Sequence, residues 1–222
     1  MTDNTSMHKK IYFVRHGQTN SLDNKIVQSA SSELSATGIL QSEEAAKKLK
    51  NLPIDLILSS DFKRGIQTAE IINKLLNKEV IFTEYLREAK RPTEIEGKPK
   101  LDPFVVDVRK QMYDKFDDDW HYSDEDNYYD LKKRTENFFE YISTRSEINI
   151  LAVTHYIILR TIVGFAVFGK NFNPQLLKRM IYYMRLDNTG ITVIEKRETD
   201  DDWQLVTWND YAHLGEEMRT YY

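Results

Sequence analysis

The residues that could do chemistry sit where apolar runs stop. Residues 11–14 form a short β-rich apolar run that ends at Arg15-His16-Gly17. A strand that breaks at glycine leaves its last side chains at the carboxyl edge of a sheet, where open α/β sheets bind ligands. An arginine beside a histidine at that edge suits an anionic ligand together with a nucleophile or proton carrier. Gly17 is expected to let the backbone turn sharply and approach a ligand. A second apolar run, residues 54–58, leads to Ser59-Ser60, with Arg64 in the first turn of the helix that follows. A third, residues 149–154, stops at Thr154-His155. If these strands are parallel, two arginines and two histidines open on one edge, and the helix N-termini there add N–H donors and positive dipole. Such a pocket suits a phosphoryl group. Guanidinium forks bind its oxygens and offset the transition-state charge, so no metal is required, and a neutral imidazole can attack phosphorus. The leaving oxygen needs a proton, and Glu88, just after the next predicted strand, is placed to give it. Glu84 is expected inside that strand; Glu94 and Glu96 are the next carboxyl candidates. Asn20 in the loop after Gly17 is a candidate phosphate contact.

The elements that must position these groups alternate along the chain. Strands are predicted at 10–15, 54–58, 79–86 and 149–154, with helices at 35–50, 62–76, 104–116, 129–145, 156–168 and 174–184. Two further strands, 190–196 and 203–208, could form an edge hairpin. Strands alternating with helices argue for an α/β fold of three layers, a mainly parallel central sheet with helices on both faces. Residues 88–128 carry prolines, charges and an acidic, aromatic run with little periodicity. They read as an insertion or cap within one domain spanning residues 1–222, and the run at 117–130 as a solvated face. Residues 1–8 read as a disordered leader with no secretory signal.

Composition narrows the classes. No apolar run approaches the ~20 residues of a membrane span. The chain has no cysteine, which excludes disulfides, thiolate catalysis and Cys-ligated zinc and fits a cytoplasmic protein. Its net charge of −4 argues against a broad nucleic-acid surface, so any anion must be held by a local basic pocket. Aromatic residues at 117–129 and at Tyr221-Tyr222 could belong to the cap or to a homodimer interface. His8, His121 and His213 read as surface or packing residues.

Five ordered segments, FVRHGQT, ELSATGILQ, LSSDFKRGIQTAE, LRE and VTHYIILR, together resemble the histidine phosphatase superfamily, also called phosphoglycerate mutase-like. The resemblance implies that His16 is the phosphorylated nucleophile, that Arg15, Arg64 and His155 bind the phosphoryl group, and that Glu88 is the general acid. It implies metal-independent hydrolysis of a small phosphorylated metabolite through a phosphohistidine, with no cofactor. A phosphoglycerate mutase and a phosphate-binding module without turnover are the alternatives; classical mutases carry a longer insertion near the acid. Members often have Asn where this chain has Leu22, Gly where it has Tyr156, and a glycine-tryptophan pattern after the acid that AKRPTEIEGK lacks. Tyr156 is expected to narrow the pocket.

Overall fold

A computed structural model describes residues 8–197, 199–200 and 202–220. Most of the expected leader, with Tyr221 and Tyr222, lies outside them. The chain runs β1 (Lys9–Arg15), a short α1 (Asn20–Asp23), α2 (Ala36–Leu49), β2 (Leu56–Ser60), α3 (Lys63–Leu76), β3 (Val80–Thr83) and α4 (Pro103–Asp114). It continues through α5 (Tyr128–Ser143), β4 (Asn149–Thr154), α6 (Tyr156–Phe168), α7 (Pro174–Tyr183), β5 (Ile191–Lys196) and β6 (Gln204–Asp210). The sheet order is β3-β2-β4-β1-β5-β6. The first four of these pair in parallel, and β5 and β6 add antiparallel. The protein is therefore an α/β fold around a mostly parallel sheet.

Side-chain alternation along the strands explains why both faces are covered. Ile11, Phe13, Leu56, Leu58, Ile150 and Ala152 face a core built with α5, α6 and α7. Tyr12, Val14, Ile57, Leu151 and Val153 face α2 and α3. A small separate cluster of Val27, Ile95, Val105 and Val108 lies under the irregular segment that precedes and includes α4. Helix starts are written locally: Ser35 accepts from the Gly38 N–H, Asn127 and Asp130 form a capping box, and Asn173 caps α7 ahead of Pro174. Among the described residues, no helix is long and apolar enough to cross a membrane.

Several boundaries differ from expectation. β2 runs two residues further, because Ser59 and Ser60 keep pairing with Phe82 and Thr83. Their hydroxyls are satisfied locally: Ser59 donates to the Ser60 carbonyl, and Ser60 accepts from the Phe62 N–H. β3 stops at Thr83, whose hydroxyl accepts from the Tyr85 N–H and starts a single 3-10 turn, Glu84–Leu86. Glu84 therefore lies in a turn and not in a strand. The predicted ends of α4 and α5 overran by about a turn's half, as frayed helix ends commonly do.

Candidate active site

β1, β2 and β4 are parallel neighbours, so Arg15-His16, Ser60 and Thr154-His155 reach one edge of the sheet. The His16 N–H donates to the Thr154 carbonyl at 2.9 Å, which locks the two strand ends together. The His16 and His155 rings lie 5.0 Å apart between centroids. Arg64, in the first turn of α3, donates from Nε to His16 Nε2 at 3.3 Å and from Nη1 to the Ser29 carbonyl at 2.8 Å. Arg15 donates from Nη1 to the Leu186 carbonyl at 2.7 Å, and its guanidinium lies 5.0 Å from the centre of the Tyr156 ring. The four groups converge although they come from three separate strand ends.

The tautomer of His16 follows from its partners. Its Nδ1 lies 2.6 Å from the Gly17 carbonyl, which can only accept, so Nδ1 carries the proton. A neutral ring then presents a lone pair at Nε2. Among the described residues, neither ring nitrogen of His155 has a hydrogen-bond partner, although the ring is buried. Phe62 holds that ring in place from the side, at 5.5 Å between centroids.

Burial, followed by the charges of Arg64 and Arg15, pushes the His16 pKa well below 6.5. The same happens at His155, where burial and then Arg64, His16, Arg15 and Arg134 act together. His213 is pushed down to about 4, chiefly by burial and next by Lys48. These shifts fix a sign. The unfolded chain takes up the protons near its ordinary histidine pKa while the folded protein refuses them. The stability is complete above that pKa and is lost as pH falls through the window beneath it, by up to about 1.4 kcal/mol per pH unit for each histidine. Urea melts from about pH 7.5 down to about pH 5 should therefore show a steady loss of stability. A flat profile would mean that the histidines are not held neutral.

The glycine after His16 has a different reason from the expected one. A Cβ on Gly17 would meet the Gly38 carbonyl oxygen at 2.4 Å, and one on Gly38 would meet the Gln18 carbonyl oxygen at 2.0 Å. Two glycines thus let the loop press against α2, and its φ is not in the left-handed region. The loop is pinned further: the Gly17 N–H donates to Thr68 Oγ1 and the Gln18 N–H to Gln41 Oε1. From the other side Asn188 donates to the His16 carbonyl at 2.8 Å, and Thr189, in the left-handed region at φ 58°, donates its N–H to the Arg15 carbonyl.

A cavity of about 370 Å³ opens over this cluster. Arg15, His16, Arg64 and Glu88 line it, whereas His155 is buried behind the His16 ring. Glu88 is fixed by backbone: its carboxylate accepts from the N–H groups of Tyr156 and Ile157, at 3.0 and 2.9 Å, and so caps α6. Asn20 and Gly17 do not line the cavity. Asn20 is exposed and turns its amide toward the Leu34 carbonyl, because it opens α1. Tyr156 does line it, held by its hydroxyl to the Ile181 carbonyl and by the Arg160 guanidinium 3.6 Å above the ring.

Sequence reading missed other wall residues: Gln28 and Ser29 from the loop after α1, Arg109 from α4 and Tyr182 from α7. Glu96, a carboxyl candidate from the sequence, lines the cavity as well, with Lys100. Burial is the largest cause raising the Glu96 pKa, while Lys90 and Arg64 oppose it. The same burial, then Arg109, Arg91 and Arg15, lowers the pKa of Lys100. The sequence signal for the basic groups was Lys90, Arg91, Lys98 and Lys100 following Glu88.

The chain shares 39% identity with a probable phosphoglycerate mutase GpmB of Proteus mirabilis over 80 residues, which is 36% of this chain and 37% of that relative. The matched stretch therefore spans little more than a third of the relative's length. A solved structure of a putative alpha-ribazole-5'-P phosphatase from Escherichia coli superposes with a TM-score of 0.75 at 20% identity, covering 91% of this chain and 98% of the other. Phosphoserine phosphatase from Entamoeba histolytica, in complex with 3-phosphoglyceric acid, gives a TM-score of 0.72 at 25% identity, covering 92% and 98%. The sequence profile of the histidine phosphatase superfamily (branch 1) matches residues 11–211, and the chain belongs to that family.

Proposed function

We propose that the protein is a phosphomonoester hydrolase that works through a phosphohistidine on His16. One observation carries this reading: a neutral imidazole presents Nε2 beside the Arg64 guanidinium on the wall of a basic cavity. Arg15 and Arg64 hold the phosphoryl oxygens, and the buried His155 ring packs against the His16 ring at 5.0 Å between centroids. The Nε2 lone pair attacks phosphorus in line, the P–O ester bond breaks, and the leaving oxygen takes a proton from Glu88. Water then attacks phosphorus, Glu88 takes back a proton, and the P–N bond breaks to free phosphate and neutral His16. Glu88 is assigned the proton because backbone N–H groups fix it at the cavity wall. The substrate is a small phosphorylated metabolite, and the place of action is the cytoplasm.

The assay is release of phosphate from an aryl phosphate, with and without a chelator. The guanidinium groups supply the positive charge, so the rate should not change with chelator. Glu88→Gln should slow esters of poor leaving groups by roughly a hundredfold while sparing activated aryl esters. Equal losses for both classes would remove Glu88 from the proton-transfer role, and the selective loss appearing in Glu96→Gln would move that role to Glu96. A second reading has one observation in its favour, the similarity to a probable phosphoglycerate mutase. Interconversion of phosphoglycerates with little net phosphate release would establish it.

A further inference from the structure

Next to the catalytic cavity lies a second one of about 200 Å³. The two share a wall made by Ala89, Arg91, Arg109, Ile157, Ile181 and Tyr182. The first carries Arg15, Arg64, Glu88, Glu96 and Lys100 among apolar wall residues such as Phe62 and Ile95. The second is lined by Met112, Tyr113, Phe116, Trp120, Tyr128 and Leu131.

Its polar groups are already engaged. Glu125 accepts from the N–H groups of Tyr122 and Ser123, and Asp126 pairs with Arg134 at 2.6 Å. Asn127 caps α5, and the Tyr128 hydroxyl donates to the Phe172 carbonyl. Ring faces and aliphatic surface are what the chamber offers a ligand. Lysines steady two of the rings: the Lys115 ammonium lies 4.7 Å from the Trp120 ring centre, and the Lys178 ammonium 3.9 Å from that of Tyr113. Tyr113 and Tyr182 nevertheless remain 48% and 60% exposed, so a ligand seated there would bury aromatic surface that folding leaves in water.

We propose that this chamber receives an aromatic ring at the far end of the substrate's leaving alcohol. The substrate class is then a phosphomonoester with its phosphoryl group on the Arg15–Arg64 side and a planar ring beyond the shared wall. Aromatic is favoured over aliphatic for two reasons. The lining is rich in rings that stack edge to face, and Arg91 and Arg109 at the boundary bring guanidinium planes that stack on flat ligands. The inference rests on the phosphatase reading of the first cavity.

Non-hydrolysable phosphonates test it by calorimetry on the wild-type protein, with propylphosphonate, hexylphosphonate and 3-phenylpropylphosphonate as the probes. The phenyl compound should bind roughly tenfold or more tightly than the propyl one, and more tightly than the hexyl one. In Trp120→Ala that advantage should shrink; if this variant does not fold, the wild-type comparison still decides. Equal affinity of propyl and phenyl compounds, or hexyl binding as well as phenyl, would overturn the chamber's role and leave the phosphatase reading intact. No binding of any of the three, with no turnover of an aryl phosphate, would overturn both.

Discussion

His16→Ala should lower phosphate release from an aryl phosphate by roughly a thousandfold or more, because it removes the proposed nucleophile. The replacement should fold. The ring hydrogen-bonds to its own neighbour's carbonyl, accepts from Arg64 Nε and packs against His155, while the backbone on either side is pinned by Thr154, Thr68, Gln41 and Asn188. A melting temperature close to wild type, with activity gone, is the expected pair of results. Residual hydrolysis near the wild-type rate would move the nucleophile elsewhere.

Arg64 carries the second large effect. Its Nε points at His16 Nε2, the atom that attacks, so the same guanidinium can orient the ring and meet the incoming phosphoryl oxygens. Arg64→Ala should reduce kcat/KM by roughly a hundredfold to a thousandfold. Arg64→Lys should fail to restore it, since a point charge cannot serve both the Ser29 carbonyl and the cavity as a planar fork does. Loss of this charge should also raise the pKa of both histidines, because Arg64 is the largest charge effect after burial at each. The acid side of the pH–rate profile should move to higher pH in the alanine variant. Full activity in the lysine variant, or an unmoved acid limb in the alanine variant, would contradict the assignment.

The cluster of Arg15, His16, Arg64 and His155 was readable because it rests on strand ends. An apolar run that stops at a polar residue fixes where that residue goes, once a parallel sheet is inferred from alternating elements. Arg15, His16 and His155 needed nothing more, and Arg64 needed one helical turn. The β2 boundary was misjudged because two serines look like the end of a strand, yet small hydroxyls that bond locally can stay buried in one. β3 was overextended because Glu84, Tyr85 and Leu86 keep strand-like composition after the chain has turned. Gly17 was rightly noticed for a wrong reason: its need comes from α2, and contact with a helix twenty residues on has no local signature. Asn20 was misjudged for a related reason, since a loop position does not reveal which way a side chain points.

The walls of the two cavities were harder still. Glu96 and Lys100 lie in a stretch without periodicity, where no pattern says which side chains turn inward, and Arg109 reaches the cavity from α4 only through tertiary packing. Tyr182 comes from α7 and reaches the cavity only through tertiary packing against α6. The expected cap was visible as a change of texture. What it builds, a lining common to two adjoining cavities, follows only from the folded chain.

The most direct test of the account is to trap the covalent intermediate. Rapid mixing with a labelled phosphomonoester, followed by alkaline quench and peptide mapping, should place the label on the peptide that contains His16. The bond should be labile in acid and stable in base, as a P–N linkage is. Absence of label during active turnover, or an acid-stable label on another residue, would contradict a phosphohistidine at His16.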